Sequence, residues 1–325
     1  PVSVLYWCRR MIEWFSPVVL LACAAWVLIR WLSLSRGPNR LDWAGAVFGH
    51  RGCRFVSGCV ENTMPAYLYA LERGADGIEI DVRLCGTGEL VVFHDALTGL
   101  QCDGPSKAVV DMPFDDVQRL TYSLDSTKQL HPPLLKDVLE LCRSRQCKLL
   151  LEVKHYHWHS SDLVVGGLRK IVRDYPDVIL EATTVISFNP FVLYAIRAAL
   201  PEVAVGPLYD DSTVSGIALG SCDVVASPWL RVTFPKMVDL VVGRVTEHLL
   251  CGLLGASMLC TRLDLTTAAQ ARRQLRSRRC LYLYGLAQVF PSALTGLPVC
   301  VSCDDDHDRL KASASAVRCY PIRAV

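Results

Sequence analysis

From Ala44 onward the chain alternates short apolar runs with stretches that carry apolar residues at helical spacing. Ala46-Val47-Phe48 is a short apolar run ending near His50, and it suits a buried strand. Thr63 to Arg73 sets Ala66, Tyr67, Ala70 and Leu71 on one helical face, and Gly74 stops it. Gly77 to Leu84 and Leu90 to Phe93 read as strands, Leu134 to Ser144 as a helix and Lys148 to Lys154 as a strand. The rhythm continues with a helix over Leu163 to Asp174, a strand over Thr183 to Ser187 and a helix over Phe191 to Ala199. Strands follow at Val203 to Val205 and, more briefly, Asp223 to Ala226, then a helix over Thr266 to Arg276 and a strand over Cys280 to Leu286. Strands alternating with helices indicate βαβ units and a parallel sheet, and about eight such repeats close a barrel.

Four stretches break this rhythm. Pro17 to Ile29 is thirteen residues without a charge, and Arg30 is followed by the apolar Trp31 to Leu34. With Arg30 snorkelling, this is near the lower limit for crossing a bilayer, and Trp14, Trp26 and Trp31 suit its interfaces. Residues 1–36 are therefore expected to form an uncleaved hydrophobic anchor, with a cleaved signal peptide as the rival reading. Residues 37–44 read as a linker and 45–325 as the barrel. Residues 95–133 carry turn formers and one short helix near Phe114 to Leu120, a small insertion after the second strand. Met237 to Cys260 is apolar but interrupted by Asp239, Arg244, Glu247 and His248. Residues 235–260 are expected to form an amphipathic helix that packs on the core or lies in a membrane surface. After Gln288 the pattern degrades, and Asp304-Asp305-Asp306 reads as loop and tail.

Composition changes this picture little. The 325 residues are 51% hydrophobic, enough for one large core, and the formal net charge of +2 gives no argument for nucleic acid. A mean hydropathy of +0.28 is high for a soluble enzyme and points toward a membrane. The 15 cysteines are scattered, with close pairs only at Cys53/Cys59, Cys142/Cys147 and Cys300/Cys303. No second CxxC answers Cys300/Cys303, so a zinc knuckle is not indicated, and the redox compartment stays open.

The chemistry concentrates between Val47 and Asp95. On a strand, residues i and i+2 share a face, so Glu79 and Asp81 lie side by side. Glu152 and Lys154 repeat that geometry on a second strand. Three carboxylates from two strand ends make an oxygen-only site suited to Mg²⁺ or Ca²⁺ rather than zinc. An ExD pair alone is weak, since solvated strand carboxylates are common. His50 and His94 each follow an apolar strand and are expected at strand C-terminal ends, the face where barrel sites form. Two such histidines can serve as general base and acid. Arg51 and Lys154 supply positive charge for phosphate. Asn62 can bind substrate or orient His50, and Asn62 or Thr63 is also an adequate helix N-cap.

The series His50-Arg51-Gly52, Glu61-Asn62-Thr63, Gly74-Ala75-Asp76, Glu79-Ile80-Asp81-Val82 and Val91-Val92-Phe93-His94-Asp95 resembles the glycerophosphodiester phosphodiesterase family, most of all its membrane-bound animal branch. The resemblance implies a TIM-type (β/α)8 barrel that uses one divalent cation, Mg²⁺ or Ca²⁺, to hydrolyse glycerophosphodiesters to glycerol phosphate and an alcohol. It implies His50 and His94 as the acid/base pair and Glu79, Asp81 and Glu152 as metal ligands. Arg51, Lys154, Glu61 and Asn62 match the substrate- and phosphate-binding positions, and residues 95–133 match a cap over the barrel mouth. It further implies a chain on an endomembrane or the plasma membrane, with its catalytic domain lumenal or extracellular. The resemblance thins after residue 154. Family members show Trp-Thr-Val-Asn-like and Ile-Thr-Asp-like late strands where this chain has Tyr284-Gly285-Leu286-Ala287-Gln288 and Val301-Ser302-Cys303-Asp304, and Leu100-Gln101 replaces the usual Arg-Thr pair. Two other readings stand beside it: a lysophospholipase D acting on lysophospholipids at the lipid bilayer, and a non-catalytic membrane protein that keeps the barrel as an interaction module.

Overall fold

A computed structural model describes residues 27–54, 59–154 except 126 and 128, 161–210, 234–263, 266–285 and 299–304, with a few isolated positions elsewhere. Its ring strands are β1 (Val47–Gly49), β2 (Gly77–Leu84), β4 (Lys148–Val153), β5 (Thr183–Ser187), β6 (Ala204–Tyr209), β7 (Met258–Arg262), β8 (Cys280–Tyr284) and β9 (Val299–Cys303). They pair in parallel in that order, and β9 closes on β1 with Val47 opposite Val301 and Gly49 opposite Cys303. The parallel eight-stranded barrel expected from the sequence is present. One strand stands outside the ring: β3 (Leu90–Val92) folds back antiparallel on β2, with Val92 opposite Val82.

The outer layer is made by helices α1 (Met64–Glu72), α3 (Leu135–Arg145), α4 (Ser161–Asp174), α5 (Pro190–Ala199), α6 (Phe234–Val245) and α7 (Ala268–Arg276), with the short α2 (Phe114–Gln118) in the insertion. Strand alternation sorts the core into two layers. Ile78, Ile80, Val82, Leu149, Leu151 and Val153 face outward against Val138, Leu139, Val164 and Leu168 of the helices. Phe48, Leu150, Met258, Cys280, Tyr282 and Cys300 face inward and, with Trp43, plug the barrel interior. The Phe48 ring lies 5.6 Å from Trp43 and 5.9 Å from Tyr282. The insertion has its own small core, where Phe93 stacks on Tyr122 at 6.3 Å.

Two expectations need correction. The apolar stretch through Cys260 is not one helix. Helix α6 continues through a wide turn (Thr246–Leu250) and a last turn (Cys251–Leu253), Gly255 at φ +58° ends it, and Met258–Arg262 is a barrel strand. Apolar run length does not separate a buried helix from a buried strand, and here the glycine decides. The degraded C-terminal pattern nevertheless contains β9, whose five residues are all buried. Residues 34–40 are strapped to the N-terminal ends of the strands: Leu34 N donates to Leu253 O (2.8 Å), Gly37 N to Gly255 O (2.7 Å) and Arg40 Nη2 to Thr183 O (3.0 Å). The strand expected at Asp223 to Ala226 and most of the expected anchor lie outside the described residues. Residues 27–32 are helical with Val27, Leu28 and Trp31 exposed, and among the described residues no helix is long and apolar enough to cross a membrane.

Among the described cysteines, Cys53 and Cys59 form a disulfide, and the nine free ones, from Cys85 to Cys303, are all buried.

Two glycines test the packing in opposite senses. A Cβ at Gly77 would meet Lys148 O at 2.4 Å and the Phe48 ring at 2.7 Å, whereas one at Gly166 on α4 meets nothing within 4 Å. Gly77→Ala is expected to lower unfolding free energy by about 1–3 kcal/mol. Gly166→Ala is expected to raise it by up to about 1 kcal/mol, both read from denaturant unfolding.

Candidate active site

The site lies where β1, β2, β4 and β9 end. Glu79 and Asp81 occupy the inner face of β2, and the register that sets Asp81 opposite Glu152 brings the third carboxylate beside them from β4. All three are buried, and each offers one oxygen within 4.8 Å of the others. Lys154 Nζ sits among them, 3.2 Å from Asp81 Oδ1 and 2.5 Å from Glu152 Oε1. Arg51 closes the other side, with Nε 3.3 Å from Asp81 Oδ2 and its backbone N donating to Glu79 Oε2 at 2.9 Å.

The charges are not equivalent. Burial pushes Glu79 well above the ordinary glutamate range, and Asp81 and Glu152 push it further. Burial also raises Glu152, with Lys154 opposing. Asp81 suffers the same burial, but Lys154 and Arg51 outweigh it and hold its carboxyl well below the usual range. Lys154 is itself deeply buried, yet Asp81 and Glu152 raise its pKa and keep it charged. Glu79 Oε1 has no hydrogen-bond partner among the described residues. A buried, unpartnered carboxylate oxygen beside two further carboxylates fits a hard divalent cation, because oxygen-only donor sets suit Mg²⁺ or Ca²⁺.

Both histidines reach this cluster. His50 follows β1 as expected, with Nε2 3.9 Å from Glu79 Oε2. His94 arrives differently. It follows β3, so it comes down from the hairpin instead of rising from a ring strand, and Phe93 N bonded to Asp81 O fixes its level (3.0 Å). Each ring is held at Nδ1 by a carboxylate: His50 by Asp304 Oδ1 at 2.7 Å and His94 by Asp95 Oδ1 at 2.6 Å. Burial lowers the His94 pKa, and Lys154 and Arg51 add to this while Asp81 opposes.

Asn62 takes a role other than those expected. Asn62 is fully buried and faces neither substrate space nor His50. Its Nδ2 donates to Asp81 Oδ2 (2.8 Å), and its Oδ1 accepts from Tyr67 Oη (3.0 Å) and Asp81 N (3.3 Å). It is a left-handed residue at φ +54°, and Thr63 instead caps α1. Glu61 lines a hollow under the insertion and accepts from Arg51 (2.7 Å), Arg54 (3.0 Å) and Gln101 of the insertion (2.9 Å). The expected Arg51, Lys154, His50, His94, Glu79 and Glu152 all line one cavity of about 350 Å³, with Asp81 just beneath.

Sequence reading missed Asp304, Arg83 and the aromatic wall. Arg83 ties the backbones of His94 (2.7 Å) and Lys154 (3.1 Å). Phe188 and Tyr284 meet edge to face at 6.4 Å and line the cavity with Tyr282 and Asp304. Inward alternation on β2 was the available signal for Arg83's neighbours, but Asp304 looked like the first residue of an acidic tail.

The model of the glycerophosphoryl diester phosphodiesterase family matches residues 50–250. A glycerophosphodiester phosphodiesterase of Caldanaerobacter subterraneus is 29% identical over 168 residues, 50% of this chain and 66% of that protein. Glycerophosphodiester phosphodiesterase 1 of Mus musculus is 26% identical over 191 residues, 55% of each chain. The chain thus spans about half to two thirds of the length of such relatives. Among solved structures, an Oleispira antarctica phosphodiesterase in complex with the product sn-glycerol-3-phosphate superposes with a TM-score of 0.60 at 20% identity, covering 85% of this chain and 98% of that one. That likeness carries the fold.

The raised Glu79 carboxyl yields a prediction that needs no assay. A carboxyl whose folded pKa is raised destabilises the fold above its unfolded pKa of about 4.3, where the unfolded state ionises first. Without divalent cation, Glu79→Gln is expected to raise stability at neutral pH. The gain should fade below the unfolded carboxylate range, as read from unfolding midpoints across pH.

Proposed function

The chain belongs to the glycerophosphoryl diester phosphodiesterase family, whose model spans residues 50–250, and from that premise we propose that it hydrolyses glycerophosphodiesters to glycerol 3-phosphate and an alcohol. Candidate substrates are the glycerophosphoinositol, glycerophosphocholine and glycerophosphoethanolamine types. The observation that carries this reading is the single cavity into which two carboxylate-held histidines and a buried carboxylate triad converge. Glu79, Asp81 and Glu152 would hold one divalent cation, Mg²⁺ or Ca²⁺. When bound, it would offset their charge and polarise the phosphate oxygens and a glycerol hydroxyl.

The chain's own groups then divide the work. His50 lines the cavity with the triad, and His94 lines both that cavity and, among the described residues, an adjoining hollow of about 360 Å³ under the insertion, with Gln101 and Leu100. His50 Nε2 takes the proton of the glycerol 2-hydroxyl, whose oxygen attacks phosphorus and forms a five-membered cyclic phosphate. His94 enters this step as the imidazolium, with Nδ1–H on Asp95, and gives its Nε2 proton to the departing alcohol, which leaves toward that hollow. In the second half His94 takes a proton from water, the water oxygen opens the ring, and His50 returns the proton to the glycerol oxygen. Arg51 and Lys154 bring fixed positive charge against the phosphate, the preorganised electrostatics that supplies much of such catalysis.

The strap of residues 34–40 lies at the barrel end opposite the mouth. If residues 1–36 anchor the chain, the mouth faces away from the bilayer, which favours water-soluble diesters over lysophospholipids. The Cys53–Cys59 bridge supports a lumenal or extracellular catalytic domain, since disulfides persist in oxidising compartments.

Hydrolysis of glycerophosphoinositol is expected to stop with EDTA and to return with Mg²⁺ or Ca²⁺; chelator-resistant hydrolysis contradicts the triad's role, and a chain that hydrolyses nothing leaves only the non-catalytic reading. The two histidines should also separate by leaving group. His94→Ala is expected to lose at least about a hundredfold on an alkyl diester and far less on a nitrophenyl diester, whose leaving group needs no proton. His50→Ala should lose comparably on both, and equal leaving-group sensitivity in the two variants would reverse or remove the assignment.

A further inference from the structure

Closing the barrel brings together two residues 254 positions apart: His50 Nδ1 lies 2.7 Å from Asp304 Oδ1. The contact follows from register and alternation. Gly49 pairs with Cys303, and the ladder runs one residue further, with His50 N donating to Cys303 O (2.8 Å) and Arg54 N to Asp304 O (3.0 Å). On β9, Val299, Val301 and Cys303 pack outward, while Cys300 packs inward. Two-residue alternation continues that inner column through Ser302 to Asp304, beside Phe48 and His50 on the inner column of β1. Asp304 is only 6% exposed, and Arg54 Nη1 stands 3.9 Å from the same oxygen.

We propose that Asp304 is a positioning residue that fixes the tautomer and the orientation of His50, so that the last barrel strand belongs to the catalytic apparatus. The proposal rests on the reading of His50 as proton acceptor given above. An ionised carboxylate accepts and never donates, so the nitrogen facing Asp304 carries the hydrogen. Nε2 is thereby left with its lone pair, directed toward Glu79 and the cavity. In an imidazole free to turn, the Nε2–H form is populated too, and that form cannot take a proton from the glycerol hydroxyl. The His94 ring, the proton donor of the first half, is oriented by a neighbour in sequence, Asp95, with 17% of that side chain exposed. His50 has none nearby in sequence and depends on β9.

Isosteric replacement separates this role from packing. In Asp304→Asn the amide can donate to Nδ1 and favour the wrong tautomer, so asparagine should be no better than alanine. For both variants kcat is expected to fall at least about a hundredfold, in line with loss of an orienting carboxylate, with KM little changed. Nitrogen-labelled NMR of the histidine rings gives a readout independent of turnover. Wild type should show a hydrogen-bonded Nδ1 proton far downfield, assigned by its loss in His50→Ala and shifted or lost in both Asp304 variants. Near-wild-type kcat in Asp304→Asn, or a wild-type His50 protonated at Nε2 alone, would overturn the proposal. A wild-type chain that hydrolyses no glycerophosphodiester would defeat the functional reading instead, and the ring spectrum would still decide whether Asp304 sets the tautomer.

Discussion

The structure turns on three carboxylates and a lysine desolvated together at the mouth of a barrel. Isolated, any one of these charges would be expelled or neutralised on folding, because burial of an unpaired ion costs several kcal/mol. Together they are compatible with the fold because Lys154 and Arg51 lie within 3.3 Å of Asp81. The balance is incomplete: among the described residues Glu79 keeps an oxygen without a partner, and its pKa is raised. That deficit of positive charge marks where a cation would sit, and it explains why so many surrounding groups are fixed in place. Below the cluster, Phe48, Leu150, Met258 and Tyr282 seal the barrel, so the charges face one opening.

Fixing them has a local cost. Arg51 and Asn62 are both left-handed, at φ +52° and +54°, a conformation that costs roughly 1 kcal/mol or more outside glycine. Each is held there by what it bonds. Arg51 turns its backbone N onto Glu79, and Asn62 turns its amide onto Asp81 while donating its backbone N to Arg51 O at 2.9 Å. The loop between β1 and α1 thus acts as an orienting frame for the carboxylates on β2, and Glu61 joins that frame to the insertion through Gln101.

Much of this was legible in the sequence because strand alternation is a local rule. Glu79-Ile80-Asp81 and Glu152-Val153-Lys154 state their shared faces without any knowledge of the fold, and the βα rhythm announces a parallel barrel. What was not legible depends on pairing between distant segments. Nothing near Leu90 to Phe93 says that the strand turns back on β2 outside the ring, so the route of His94 was misread while its destination was right. Met258 to Arg262 was absorbed into a preceding apolar helix, since buried strands and buried helices share composition. Asp304 gains its meaning only from the β1–β9 register, and Asn62 looked like a substrate ligand because its partner, Asp81, lies nineteen residues on.

The central claim is that Glu79, Asp81 and Glu152 form one cation site, and calorimetric titration of divalent cation into the purified chain and into a Glu79→Gln/Asp81→Asn/Glu152→Gln variant tests it most directly. The account predicts one Mg²⁺ or Ca²⁺ bound per wild-type chain and none by the folded variant. Binding that survives in the variant, or a wild-type chain that binds neither ion, would contradict it.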